Sequence, residues 1–329
     1  MGWRATVRFR WIAATAAAAV VATGCGGGDE GTDIEQRYYL SLGDSLTVGV
    51  QPDENGVPGE TADGYTDMLY RGLYDADSTL VHERLGCGGE DTTTFVEGGV
   101  PRCDQRYEGR SQLEAAEEFL AEHQGRVELV TVTIGGNNFT GCVSGLENPD
   151  GPAIDTACVD DGLERIGTEV PEIADRLRTA AGPDTPIIAM TYYNPFLAAL
   201  LLEDAGEDDA EESPSPEEAG AGEGAGADGD GTAAAPDDGL VGYATGVLER
   251  MNASLRDSYA DAGVEVADVE GAFASADFNV PADSTTGMPT NVQRICDLTW
   301  MCDVDRGPDI HTNRAGAQEI ATAFEELVG

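Results

Sequence analysis

The chain has 329 residues, with 62 acidic side chains against 18 basic ones, every basic one an arginine. That length fits one large domain once terminal and low-complexity segments are set aside. A formal net charge of −44 argues against nucleic acid and against an electrostatic grip on anionic lipid, and it suits a salt-rich habitat or a biased genome equally.

Arg4, Arg8 and Arg10 precede an apolar run from Trp11 to about Thr23. The run is too short to span a bilayer comfortably, so residues 1–24 read as a secretory signal peptide. It closes with Ala22-Thr23-Gly24-Cys25, which resembles a bacterial lipobox, in which the cysteine is lipidated and becomes the mature N-terminus. Residues 25–36 are glycine-rich and acidic and form a flexible tether. The expected location is the outer face of the cytoplasmic membrane through a lipid on Cys25, or free secretion.

Tyr38-Tyr39-Leu40-Ser41-Leu42 reads as a short buried strand that ends at Gly43, followed by Asp44-Ser45-Leu46 on the turn leaving it. Strand ends of an α/β sheet are where such folds place reacting groups, although Gly, Asp and Ser are also ordinary turn and cap residues. Tyr65 to Leu73 has helical spacing, and Thr79 to Leu85 is a second strand leading into Gly86-Cys87-Gly88-Gly89. Ser111 with Glu114 makes a capping box for a helix to His123. Val127 to Ile134 is a strand ended by Gly135-Gly136-Asn137-Asn138. A helix over 161–181, a strand over 186–193, a helix over 240–262, a strand over 264–269 and a closing helix over 313–328 follow. Strands alternating with helices in this order imply a mostly parallel sheet covered on both faces.

From about Glu203 to Asp238 the chain holds 14 acidic residues and no basic one. Such a tract buries too little apolar surface to offset its ordering entropy, so it is expected to be a disordered insertion in the domain spanning 37–329. Apart from Cys25 there are six cysteines. An even number in an exported chain implies disulfides. Their positions cluster as three local pairs, Cys87–Cys103, Cys142–Cys158 and Cys296–Cys302. A zinc site is the alternative, but no Cys-x-x-Cys occurs and the histidines lie in separate regions. His82 and His123 have only structural readings, beside a strand and at a helix end.

Four stretches stand at strand ends or nearby loops: Gly43-Asp44-Ser45-Leu46, Gly88-Gly89, Gly135-Gly136-Asn137-Asn138 and Asp309-Ile310-His311. Together, in this order and with the histidine just before the last helix, they resemble the blocks of the SGNH, or GDSL, hydrolases over about 37–329. The resemblance implies a three-layer α/β/α fold of flavodoxin-like type with a mostly parallel central sheet. It implies an ester hydrolase with Ser45 as nucleophile and His311 as base and later acid. The oxyanion donors would be the N–H of Ser45, the N–H of Gly89 and the side-chain amide of Asn137, with Gly88 as the competing assignment. No metal or organic cofactor is implied, and the partner is a small-molecule or lipid ester.

The three-disulfide pattern looks most like the secreted bacterial esterase and lipase branch. Carbohydrate O-deacetylases and phospholipases share the apparatus. A non-catalytic surface lipoprotein on the same fold is the reading from another class, and the presence of both Ser45 and His311 argues against it. Tyr192, Tyr193, Phe196 and Leu197 are candidates to line an acyl pocket, although an aromatic strand end is more often core. The acid that usually lies three residues before the histidine is replaced by Pro308. Either the Asp309 carboxylate or the Pro308 carbonyl then orients His311, and the stiff proline turn tips the expectation toward the carbonyl.

Overall fold

The apolar centre of the first strand dictates its place. Tyr39, Leu40 and Leu42 are fully buried, so strand β1 (Arg37–Gly43) must be covered on both faces and flanked on both edges. In the computed structural model, which describes residues 36–144, 153–195, 198 and 239–328, it is. β1 pairs in parallel with β2 (Leu80–Arg84) on one edge and with β3 (Val127–Thr133) on the other. β4 (Ile187–Met190) extends the sheet from β3, and β5 (Glu265–Ala267) extends it from β4, both in parallel. The order is therefore β2-β1-β3-β4-β5. In that flavodoxin-like arrangement the chain reverses direction of travel between β1 and β3, and the crevice at their carboxyl ends is where ligands bind.

Successive residues of β1 point to opposite faces. Tyr38 meets Phe119 edge-on, on α3 (Gln112–Glu122). Tyr39 stacks on His82, whose ring lies against Tyr70 of α1 (Tyr65–Ala76). On the Tyr39 face, α1 packs with the final helix, α7 (Arg314–Val328), through stacked Tyr65 and Phe324. On the other face α3 packs on α4 (Thr156–Ala181), which packs on α5 (Leu240–Asp261). This is the expected three-layer α/β/α fold. Each fully buried leucine or aromatic of this core contributes roughly 1.5–3 kcal/mol.

Local chemistry sets the helix ends. Ser111 and Glu114 form the expected reciprocal capping box at 3.1 Å each way. His123 ends α3 with Nδ1 on Phe119 O at 2.9 Å. Helix α4 begins five residues before the expected start because the Asp155 side chain accepts from Ala157 N and Cys158 N. Strand β4 is shorter than expected. It stops at Met190 because the backbone of Tyr192 pairs with the side-chain amide of Asn252, at 2.8 and 2.9 Å, and not with a neighbouring strand. Among the described residues three short helices went unread: α2 (Thr92–Glu97), capped by Asp91, the single turn Val269–Ala272, capped by Asp268, and α6 (Thr290–Leu298). All three cysteine pairs are disulfides. The signal segment, Cys25, residues 26–35, the acidic tract, Phe196 and Leu197 lie outside the described residues.

Candidate active site

Gly43 ends β1 at φ +127°, and a Cβ there would overlap the Thr133 carbonyl of β3. Only glycine allows this approach. It lets Asp44 N donate to Thr133 O at 3.0 Å and turns the chain out of the sheet at Ser45. Both polar groups of Gly43 are held by one side chain: its N–H donates to Gln112 Oε1 at 2.5 Å, and its carbonyl accepts from Gln112 Nε2 at 3.0 Å. Gln112 had no sequence signal beyond its place at the start of a helix.

His311 arrives from β6 (Asp309–Thr312), which pairs antiparallel with Thr299–Trp300. The Tyr193 hydroxyl donates to Ile310 O at 2.9 Å and fixes this strand against the site. His311 Nε2 lies 2.8 Å from Ser45 Oγ, and Nδ1 lies 2.7 Å from Asp309 Oδ1. A carboxylate only accepts, so Nδ1 carries the proton and Nε2 is left to accept from the Ser45 hydroxyl. The same Asp309 Oδ1 also accepts the His311 backbone N–H at 2.8 Å. This corrects the expectation that favoured the Pro308 carbonyl. In the extended β6 segment, residues two apart face the same side, which brings the carboxylate onto the ring. Asp309 does not cap the last helix; Asn313 does, through Oδ1 to Ala315 N and Gly316 N. Burial pushes the Asp309 carboxyl up, but its hydrogen bonds to His311 and the charge of that ring outweigh burial and hold it below the ordinary carboxylate value.

Asn137 stands on the turn Gly136–Phe139 after β3, and its Nδ2 donates to Glu90 O at 2.9 Å. That bond joins the Asn137 turn to the turn after β2. Gly88 is buried against the nucleophile, and a Cβ on it would lie 3.7 Å from Ser45 Cβ. Gly89 follows at φ +88° and is exposed. The segment 85–88 is braced from outside by the loop 100–107. Leu85 O accepts from Tyr107 Oη at 2.7 Å, Gly86 O from Arg106, and Gly88 O from Arg102 Nε at 2.6 Å, while Cys87 is bonded to Cys103. The N–H groups of Leu85, Gly86 and Cys87 donate to the Ser41 and Gly43 carbonyls of β1, so the candidates for oxyanion donors in this turn are the N–H groups of Gly88 and Gly89.

A cavity of about 350 Å³ opens beside Ser45, His311 and Asn137. Its walls are Phe139, Val143, Ile154, Val159, Val247 and Leu248, with Tyr192 and Tyr193. The Cys142–Cys158 disulfide ties the hairpin that bears Val143 and Ile154 to the start of α4. Tyr192 and Tyr193 thus line the cavity as the sequence suggested.

One acid in the site went unassigned. Asp44 is buried; its Oδ1 accepts from Leu46 N at 3.0 Å and its Oδ2 from the Tyr192 hydroxyl at 2.8 Å. Burial raises its pKa from 3.8 to about 6 against the opposing effects of Tyr192, Leu46 and the charge of His311. A carboxyl whose folded pKa is raised stabilises the fold fully below its unfolded pKa, and that stability is lost as pH rises through the folded pKa near 6. The window is about pH 4 to 6 and the loss about 3 kcal/mol. Asp44→Asn removes the buried charge and keeps a hydrogen-bonding partner for Tyr192. Thermal midpoints at pH 4 and pH 8 check this: the variant should match the wild type at pH 4 and exceed it at pH 8. A lower midpoint at pH 8 would show that the charge-assisted bond to Tyr192 outweighs desolvation.

A serine with a histidine and a carboxylate, set at the switch point of a doubly wound parallel sheet, defines the class as an α/β/α hydrolase. Residues 41–319 match the GDSL-like Lipase/Acylhydrolase family, and the chain belongs to it, with ester hydrolysis as its general activity. No curated protein matches the chain by sequence. Similar solved structures include the extracellular lipase of Streptomyces rimosus, at 16% identity over 88% of this chain and 99% of that one, TM-score 0.45. Phospholipase A1 from Streptomyces albidoflavus NA297 is similar at 15% identity over 89% and 99%, TM-score 0.46. An acetylxylan esterase from Geobacillus stearothermophilus is similar at 15% identity over 89% and 94%, TM-score 0.42.

Proposed function

We propose that the protein hydrolyses esters of medium-length acyl chains through an acyl-enzyme on Ser45. The observation that carries this is Ser45 Oγ, 2.8 Å from His311 Nε2, at the mouth of an apolar cavity. His311 takes the Ser45 proton as Oγ attacks the ester carbonyl. The imidazolium is held by the Asp309 carboxylate, and the new oxyanion by the Ser45 N–H, the Asn137 amide and the Gly88–Gly89 turn, each such donor typically supplying about 3–4 kcal/mol of barrier stabilisation. His311 then gives the proton to the alkoxy oxygen as the C–O bond breaks and the alcohol leaves. Water, deprotonated by His311, attacks the acyl carbon; Ser45 leaves with the proton and the carboxylic acid is released.

The cavity selects among acyl groups. Its size and its apolar walls suit an acyl chain of medium length. An acetyl group would leave most of this apolar wall unfilled, which favours a fatty acyl ester over a carbohydrate acetate. Esters of graded chain length test the reading on wild type and on Val247→Trp, which puts a large ring into the cavity wall. The optimum should lie near eight to ten carbons, and the variant should shift it to about four or fewer by loss of apolar contact. An unchanged profile in Val247→Trp, or a wild-type optimum at acetyl, would overturn the assignment of the cavity.

A further inference from the structure

A side-chain amide carries two N–H donors on one nitrogen. In Asn137 one of them is held by Glu90 O at 2.9 Å, and the other is the one left for an oxyanion. The aim of that second N–H therefore depends on Glu90 O and the Asn137 turn keeping their places relative to each other. The two segments are joined a second time behind the site. Thr92 N donates to Asn138 Oδ1 at 3.1 Å, and Asn138 Nδ2 donates to Thr92 Oγ1 at 2.7 Å. Asn138 and Thr92 are both buried.

Both segments rest on one stretch of α4. Gly162 lies under the Asn137 turn: a Cβ there would come 2.8 Å from Asn138 O and 3.0 Å from the Phe139 ring. Glycine is a poor residue for a helix interior. Here it lets the turn sit against the helix backbone, where Asn138 Nδ2 also donates to Gly162 O at 3.4 Å. Three residues on, and so on the same helix face, Arg165 bridges the two segments. Its Nη2 donates to Asn138 O at 3.0 Å, and its Nη1 donates to the Asp91 carboxylate at 2.9 Å and to Thr93 Oγ1 at 3.2 Å. Asp161, on α4 itself, pairs with its Nε at 3.3 Å. Asp91 adjoins Glu90 in the chain and Asn138 adjoins Asn137, so the guanidinium ties together the neighbours of both ends of the Asn137–Glu90 bond. Glu169, one turn further along α4, accepts from the Thr92 and Thr93 hydroxyls and seats the start of α2 on the same helix. Arg165 is not in the lining of the acyl cavity.

We propose that Arg165 is a positioning residue for the Asn137 amide, acting on the oxyanion through the Asn138 carbonyl and the Asp91 carboxylate without touching the substrate. A planar fork holds two acceptors at a fixed angle, which an ammonium on a flexible stem does not. Gly162 has the companion role of setting the height of the turn on α4. The inference rests on the reading of Ser45 as nucleophile and Asn137 as oxyanion donor.

The test is a double-mutant cycle read in kcat on an octanoyl ester. Outright removal of an oxyanion donor lowers kcat by about 10²–10³, so Asn137→Ala sets the scale. Arg165→Met keeps an unbranched side chain and removes the fork. It should lower kcat by about tenfold or more, with KM changed by less than about threefold. In the Asn137→Ala background the same change should lower kcat by less than about threefold, because the group it positions is gone. Arg165→Lys keeps a charge for Asp91 and loses the fork, so its kcat should fall between those of Arg165→Met and wild type. Gly162→Ala pushes on Asn138 O from the helix and should show the same dependence on Asn137; it decides the matter where Arg165→Met fails to fold. Equal factors in the two backgrounds overturn the proposal, since a residue that only supports the fold lowers kcat whether or not Asn137 is present. A kcat within about threefold of wild type in Arg165→Met overturns it too. An unchanged kcat in Asn137→Ala would bring down the donor reading and this inference together, whereas equal factors bring down this inference alone.

Discussion

Ser45→Ala should abolish turnover of every ester, with kcat lower by about 10⁵–10⁶, and should leave the thermal midpoint unchanged. The size follows from the role: without Oγ no acyl-enzyme forms, and the oxyanion donors and acyl cavity can assist only direct attack by water. The fold should not notice the loss. Ser45 is half-buried, and the turn is held by Gly43 on Gln112, by Asp44 on Thr133 and by Val50 N on Ser45 O at 3.0 Å, all through groups the substitution keeps. A fluorophosphonate probe should label wild type and leave the variant unlabelled. Equal labelling, or a loss of kcat below about a hundredfold, would remove Ser45 from the mechanism.

Asp309→Ala should lower kcat by about 10⁴ with little change in KM. Three effects go together: the tautomer is no longer held, the ring is free to turn, and the imidazolium loses its counter-charge. Asp309→Asn separates them. The same oxygen that accepts Nδ1–H also accepts the His311 backbone N–H at 2.8 Å, so the amide oxygen should stay on the ring while the charge is lost. Its kcat should therefore fall between wild type and alanine, by at least about tenfold, the difference between a charged and a neutral hydrogen bond. A kcat within about tenfold of wild type in Asp309→Ala would show that another acceptor, such as the Pro308 carbonyl, orients His311.

Much of the chain was legible because its signals are local. The capping box at Ser111 and Glu114 is satisfied by atoms three residues apart, and it appears where the sequence places it. Helices α2 and α6 were not legible. α2 opens with three threonines, and both are short, so neither shows a sustained helical period. α2 has a local cap in Asp91 and adds a tertiary bond, Thr92 N to Asn138 Oδ1 at 3.1 Å, while α6 has no side-chain cap and starts where Thr290 N donates to Asn279 O at 2.9 Å.

By itself the sequence determined the class of fold, the family and the order of the reactive blocks. It also determined the cysteine pairs, since partners 6 or 16 residues apart meet within one loop or hairpin. These features are written in strand and helix periodicity, in turn residues and in short spacings, which act between near neighbours. Only the tertiary structure decided between Asp309 and the Pro308 carbonyl, because the choice depends on which way a short extended segment faces against Thr299–Trp300. It alone placed Gln112 on Gly43, built the cavity from α5 beyond the acidic tract, and set Arg102 over the turn. The Asp44–Tyr192 bond joins residues 148 positions apart. Its energy comes from burial and geometry that exist only once β1, β3 and β4 lie side by side, so no window of sequence contains it.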